Sequence, residues 1–263
     1  MIKAKTIKQC VVIGSSTGLG ASLVEECLNE TSYYIIGVAR TSFEKIDNYQ
    51  KWQTSKRYSH IELDITSQDC INRLKTLCSS FQNEPICVIL NAAIVQADIE
   101  ENGSIDYDLI ARINHVGIDG FSNILASFGD YLAKHGGVFI GVSSFSAFVP
   151  PFLEPRIAYP ASKAYLDMAL RSLRMLWDKK VSVVTVHLGH LGNPREKIVK
   201  GQATNYAKAA KIIVSSLFSK KIPQEINYPI LYCVVYKYIF KFIPDSLYFK
   251  LSQLFCYFVR NKK

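Results

Sequence analysis

Tyr159 and Lys163 stand four residues apart in the stretch Tyr159-Pro160-Ala161-Ser162-Lys163, so on a helix a phenol and an ammonium share one face. A tyrosine ordinarily ionises near pH ~10, and a neighbouring cation brings that value down. Such a phenol can give a proton to a carbonyl oxygen as hydride reaches the carbon. Pro160 falls where a helix is just starting, so its missing N–H is harmless. Upstream, Val142-Ser143-Ser144 closes an apolar run, and a serine hydroxyl there can hold the same substrate oxygen.

A second chemical feature is the glycine turn Gly14-Ser15-Ser16-Thr17-Gly18-Leu19-Gly20, placed directly after the apolar run Gln9–Ile13. Gly14 permits a tight turn, Gly18 lets backbone approach a pyrophosphate, and Gly20 allows close packing. Ser16 and Leu19 lie in the same cradle, at a helix N-terminus whose amides favour an anion. The competing reading is an ordinary strand-to-helix turn. The next apolar run ends in Val38-Ala39-Arg40. An arginine here suits a 2′-phosphate and a carboxylate suits a 2′-hydroxyl, so Arg40 favours NADP(H) over NAD; otherwise it is a solvated loop cation. Asp64 either accepts from the adenine amine or caps a helix beginning near Thr66.

These residues need a scaffold that sets strand ends against helix starts. Candidate strands are Gln9–Ile13, Tyr34–Val38, Ser59–Leu63, Ile86–Leu90, Gly137–Val142 and Ser182–His187, several of them continuous Val/Ile runs. Helical patterns lie between them, at 19–30, 67–80, 105–134 and 158–178. The alternation predicts an α/β fold, a doubly wound parallel sheet of Rossmann type with helices on both faces. Residues 1–204 form the cofactor-binding and catalytic domain, and 205–263 a basic, aromatic-rich helical extension of it.

The landmarks in this order resemble the short-chain dehydrogenase/reductase family over roughly residues 8–193. The glycine turn is of that family's GxxxGxG type. Leu90-Asn91-Ala92-Ala93 is similar to its Asn-Asn-Ala-Gly stretch, with Leu90 and Ala93 as departures. Ile113-Asn114-His115-Val116-Gly117 matches the helix of its catalytic Asn, and Tyr159 with Lys163 matches YxxxK. The resemblance implies that Asn114 holds a proton-relaying water and that Ser144 polarises the substrate oxygen. It also implies that Tyr159 is the proton donor and that Lys163 binds the nicotinamide ribose. Asn91 and Ala92 would line the cofactor site. Ser146 has the spacing to the tyrosine more familiar in the family, but the strand-ending Val-Ser-Ser favours Ser144. After the sixth strand the family has Pro-Gly and then Thr; here Leu188 and Asn193 replace the Pro and the Thr. Asn193 and the amides near Leu191 would then hold the carboxamide. His187 and His190 read as loop histidines, since no carboxylate or Cys completes a metal pair.

The seven cysteines are odd in number and form no Cys-x-x-Cys pair, which points to reduced thiols in a cytoplasmic protein. The net charge of +9 is concentrated at one end: residues 205–263 carry 10 Lys/Arg against 2 Asp/Glu. Within 228–258, 11 of 31 residues are aromatic, in helical stretches 229–242 and 245–260 broken at Pro244. Neither stretch is the ~20-residue apolar span that crosses a bilayer. Apolar faces with flanking lysines suit helices lying in a membrane interface, through residues 226–260. Packing as core and homodimer or homotetramer contact are the competing roles. No nucleic-acid-reading motif is present. The sequence therefore predicts an NADP(H)-dependent reductase of a hydrophobic or lipid-like ketone or aldehyde, peripheral on a membrane. The alternatives are a reductase of a small polar carbonyl that oligomerises through these helices, and a non-catalytic NADP(H) sensor.

Overall fold

A computed structural model describes residues 7–100, 102–151, 156–177, 179–191, 206–219 and 221–260, with side chains described through Leu254. Among the described residues, seven strands make one sheet: β1 (Gln9–Ile13), β2 (Tyr34–Ala39), β3 (Tyr58–Glu62), β4 (Ile86–Leu90), β5 (Gly137–Ser144), β6 (Val181–Leu188) and β7 (Glu225–Tyr228). The spatial order is β3-β2-β1-β4-β5-β6-β7, and every pairing is parallel. β4 and β5 are buried at every position, which is why they read as unbroken apolar runs rather than alternating ones.

Helices cover both faces. On one, α1 (Gly18–Glu30) and α7 (Tyr206–Ser216) pack with Val12, Ile35 and Ile89. On the other, α3 (Cys70–Ser79), α5 (Gly120–His135) and α6 (Ala158–Trp177) pack with Val11, Ile36 and Val88. A short α2 (Tyr49–Thr54) buries Trp52 beside α1. The strand order reverses between β1 and β4, and a crevice opens at such a switch point beyond the strand ends. Gly14 and Asn91 stand at that crevice.

Several elements differ from the sequence reading. The helix expected over 105–134 is α4 (Tyr107–Asn114), then a π turn (His115–Asp119), then α5. The helix expected near Thr66 begins at Cys70, so Asp64 does not cap it. β7 was not anticipated at all. The C-terminal helices are α8 (Ile230–Val234), continued by a π turn (Val235–Ile239) and a 3-10 turn (Phe240–Phe242), and α9 (Asp245–Arg260).

Candidate active site

The end of β5 and the first turns of α6 bring the chemical groups together. Ser144 is the last residue of β5, and its hydroxyl lies near enough to the Tyr159 phenol to favour that phenol's ionised form. Ser146 lies one step removed: its N–H and hydroxyl both donate to Ser144 Oγ, at 3.2 and 3.0 Å. Tyr159 is the second residue of α6, and Pro160 the third, inside the turn where a missing N–H is harmless. Lys163, one turn on, is 6% exposed and donates to the carbonyl of Val142 at 2.7 Å, with Nζ 5.6 Å from the Tyr159 ring centre.

Burial shapes both titrations. Desolvation lowers the Lys163 ammonium to about 8, because a charge without water loses its favourable hydration. Desolvation also raises the Tyr159 phenol, against the opposing effects of the nearby Ser144 hydroxyl and the Arg156 cation. Arg156 stands with its guanidinium carbon 5.9 Å from the centre of the tyrosine ring. Sequence reasoning missed that arginine, because it lies outside helix and strand just before α6.

Asn114 ends α4 and is half-buried, immediately before the π turn. Its neighbour Ile113 packs in one cluster with Ala158 and Tyr159. A small cavity beside the turn is lined by Ala92, Ile113, Gly117, Ser162 and Lys163; Asn114 is not among its lining residues. Asp98, in the loop after β4, is fully buried and accepts from the backbone N–H groups of Ile157 and Ala158 at the start of α6.

The glycine turn requires glycine at two of its positions. Gly14 adopts a φ of +81°, and a Cβ there would come within 2.7 Å of the Ala92 backbone. A Cβ on Gly20 would overlap the Gly14 carbonyl, so α1 starts closer to β1 than any side chain permits. Asn91 donates from Nδ2 to the Gly14 carbonyl at 3.0 Å, which braces the turn. Leu19 is buried in the core below it. At the end of β2, Arg40 is exposed and reaches Asp64 at 3.9 Å. Ser16 accepts a hydrogen bond from Thr41 at 3.2 Å, so two hydroxyls meet near that arginine. Asp64 accepts from the N–H and hydroxyl of Thr66. Burial works against its charge, but those bonds and Arg40 hold its carboxyl below the usual range.

Leu191 is partly buried against the core, and Asn193 lies outside the described residues. His187 is not a loop histidine. It is fully buried in β6, with Nε2 2.8 Å from Asp167 Oδ1 and Nδ1 3.0 Å from Asn227 Oδ1. A carboxylate does complete its surroundings, from a helix that sequence spacing could not connect to it. Among the described residues, no group of three or more His, Cys, Asp or Glu could hold a metal.

Compared with known proteins, residues 8–200 match the family model described as short chain dehydrogenase. A short-chain dehydrogenase from Streptomyces avermitilis superposes with a TM-score of 0.72 at 20% identity, covering 95% of this chain and 96% of that one. One from Burkholderia cenocepacia, in complex with NADP, gives 0.70 at 21% identity, covering 88% and 91%. The NADPH-bound carbonyl reductase from chicken fatty liver gives 0.68 at 15% identity, covering 84% and 96%. No curated protein matches the chain by sequence.

Proposed function

The chain belongs to the short-chain dehydrogenase family, and from that premise we propose an NADP(H)-dependent oxidoreductase that reduces a hydrophobic, lipid-like ketone or aldehyde at a membrane surface. The observation that carries the chemistry is the Tyr159 phenol beside the buried Lys163, whose Nζ lies 5.6 Å from the ring centre, at the end of the strand that carries Ser144. A non-catalytic sensor of the cofactor has no use for a proton donor held this way.

NADPH, when bound, supplies the hydride. The Gly14–Gly20 turn would cradle its pyrophosphate, since it leads into the N-terminus of α1, whose amides favour an anion. Arg40, with the hydroxyls of Ser16 and Thr41 beside it, would take the 2′-phosphate. The NADP and NADPH complexes of the two structural neighbours support that preference. Ser144 would hold the substrate oxygen and orient it towards the phenol. In the chain alone Tyr159 keeps its proton at neutral pH, the state that a donor to a carbonyl oxygen needs. Lys163, ordered by Val142, would bind the ribose and restore the phenolic proton. The apolar C-terminal helices lie beside the catalytic loop: the Tyr236 ring packs at a tilt 4.5 Å from that of Phe145, directly after Ser144, and Tyr248 donates to the carbonyl of Pro150. They would pass a poorly soluble substrate towards the site.

The test is Tyr159→Phe with NADPH and an apolar aldehyde such as decanal as the probe. The variant should still quench NADPH fluorescence on binding, while turnover falls about 10²- to 10⁴-fold. Wild-type turnover in the variant would remove Tyr159 from the chemistry. Tight NADPH binding with no turnover of any carbonyl by the wild type would leave the sensor reading standing.

A further inference from the structure

The catalytic tyrosine sits where a helix is weakest. The first N–H groups of an α-helix have no partner within it, so its first turn frays unless something outside holds it. Tyr159 is the second residue of α6, and Arg156 and Ile157 just before it are in neither helix nor strand. Lys163 is tied down by Val142, but that anchor lies one turn beyond the phenol.

The missing cap comes from a residue about 60 positions earlier. Asp98 Oδ1 accepts from the N–H of Ile157 at 2.8 Å, and Oδ2 accepts from Ile157 and Ala158 at 3.1 and 2.7 Å. Pro160 carries no N–H, and these bonds give Ile157 and Ala158 their acceptors. The carboxylate is fully buried, and a buried charge persists only where hydrogen bonds replace its water. Asp98 is itself held in place. Its carbonyl accepts from the N–H of Asp106 at 3.0 Å, and an antiparallel bridge joins Ile99 to Ile105. Asp106 in turn caps α4, its carboxylate accepting from Leu109 N–H at 2.8 Å. The loop from 98 to 106 therefore fastens the starts of two helices: α4, which ends in Asn114, and α6, which begins with Tyr159.

We infer that Asp98 is a positioning residue for the proton donor: its carboxylate fixes the first turn of α6 and so holds the Tyr159 phenol against Ser144. The inference rests on the catalytic reading of Tyr159 for its effect on turnover, but not for its effect on the helix.

The experiment compares wild type, Asp98→Asn and Asp98→Ala in the full chain, with NADPH and decanal as probes. Asn keeps one acceptor oxygen and Ala keeps none, so kcat should fall in the order Asp, Asn, Ala, with Ala down about 10- to 100-fold. KM for NADPH should stay within about twofold, since the glycine turn is untouched. Partial rescue by Asn together with that split separates positioning from general damage. Amide hydrogen exchange is read alongside: peptides spanning 157–161 should lose protection in Asp98→Ala while those spanning 166–177 keep theirs. Wild-type kcat in Asp98→Ala overturns the inference, as does a fall in kcat matched by a rise in KM for NADPH. If the wild type turns over no aldehyde, the functional reading fails first, and exchange still decides: unchanged protection at 157–161 overturns the cap, and selective loss sustains it.

Discussion

Lys163 is asked to be charged in a place that disfavours charge. Burial lowers its ammonium to about 8 from the ordinary 10.5. A lysine lowered on folding penalises the fold at any pH where it is protonated. Below about pH 8 both states hold the proton and the penalty is complete. Between about 8 and 10.5 the unfolded chain binds more protons than the folded one, so stability contributed by this group rises with pH. Cofactor-free protein should therefore show a stabilising slope across that window that Lys163→Met lacks. At pH 7 the variant should be the more stable by at most about 3 kcal/mol. The comparison must be a difference between the two proteins. Buried thiols tilt the other way above pH 9, such as Cys78, which burial pushes up to about 12. Urea unfolding at pH 7, 8, 9 and 10 measures it, and parallel curves for the two proteins would contradict the burial argument. At this scale Tyr159 and Lys163 were legible because their pairing needs only one helical turn. Asp98 was not, because a lone loop aspartate announces no partner about 60 residues away.

Elements were legible where burial is two-sided. β1 and β4 read as apolar runs because helices cover both faces of the sheet, and their bounds agree with the sequence reading. β7 was hidden because Glu225-Ile226-Asn227-Tyr228 alternates and sits at an edge, secured by tertiary bonds: Asn227 to His187, and Glu225 to Lys237. The break between α4 and α5 was hidden too, since a π turn is a bulge within a continuous helix and here carries no proline to mark it. That turn matters because it brings α4 against α6. A Cβ on Gly117 would lie 2.8 Å from Ser162 Cβ, one residue before Lys163. Gly117→Ala should push the two helices apart and lower stability by about 1–3 kcal/mol. Ala is otherwise the better helix former, so an unchanged or raised melting temperature would show that the close approach is slack.

Taken whole, the molecule carries a helix turned inside out. An amphipathic helix on a globular protein ordinarily buries its apolar stripe and leaves charges in water. Along α8 and the turns that follow, Ile230, Leu231, Tyr238 and Phe242 are 69, 73, 61 and 76% exposed. Lys237 instead faces inward, paired with Glu225 and set over the Phe148 ring. On α9, Leu247, Phe249 and Leu254 are exposed while Tyr248 is buried. No helix among the described residues is long and apolar enough to cross a membrane. A contiguous apolar face of this kind calls for a partner. The charge around it is one-sided, with 10 Lys/Arg against 2 Asp/Glu from residue 205 on, and Lys241 and Lys250 are exposed beside it. An anionic lipid surface fits both properties, each nearby lysine adding about 1 kcal/mol. Deleting the extension would be a poor test, because Tyr236 and Tyr248 brace the loop after Ser144. Replacing exposed residues leaves that brace alone. The double variant Leu231→Ser, Phe242→Ser should fold and melt as wild type yet lose about tenfold or more in binding to phosphatidylserine-containing vesicles by co-sedimentation. Wild type should bind neutral vesicles more weakly than anionic ones. If neither protein sediments with any vesicle, and light scattering shows a dimer that the double variant breaks, the face belongs to a second copy of the chain. The substrate search would then turn to small polar carbonyls.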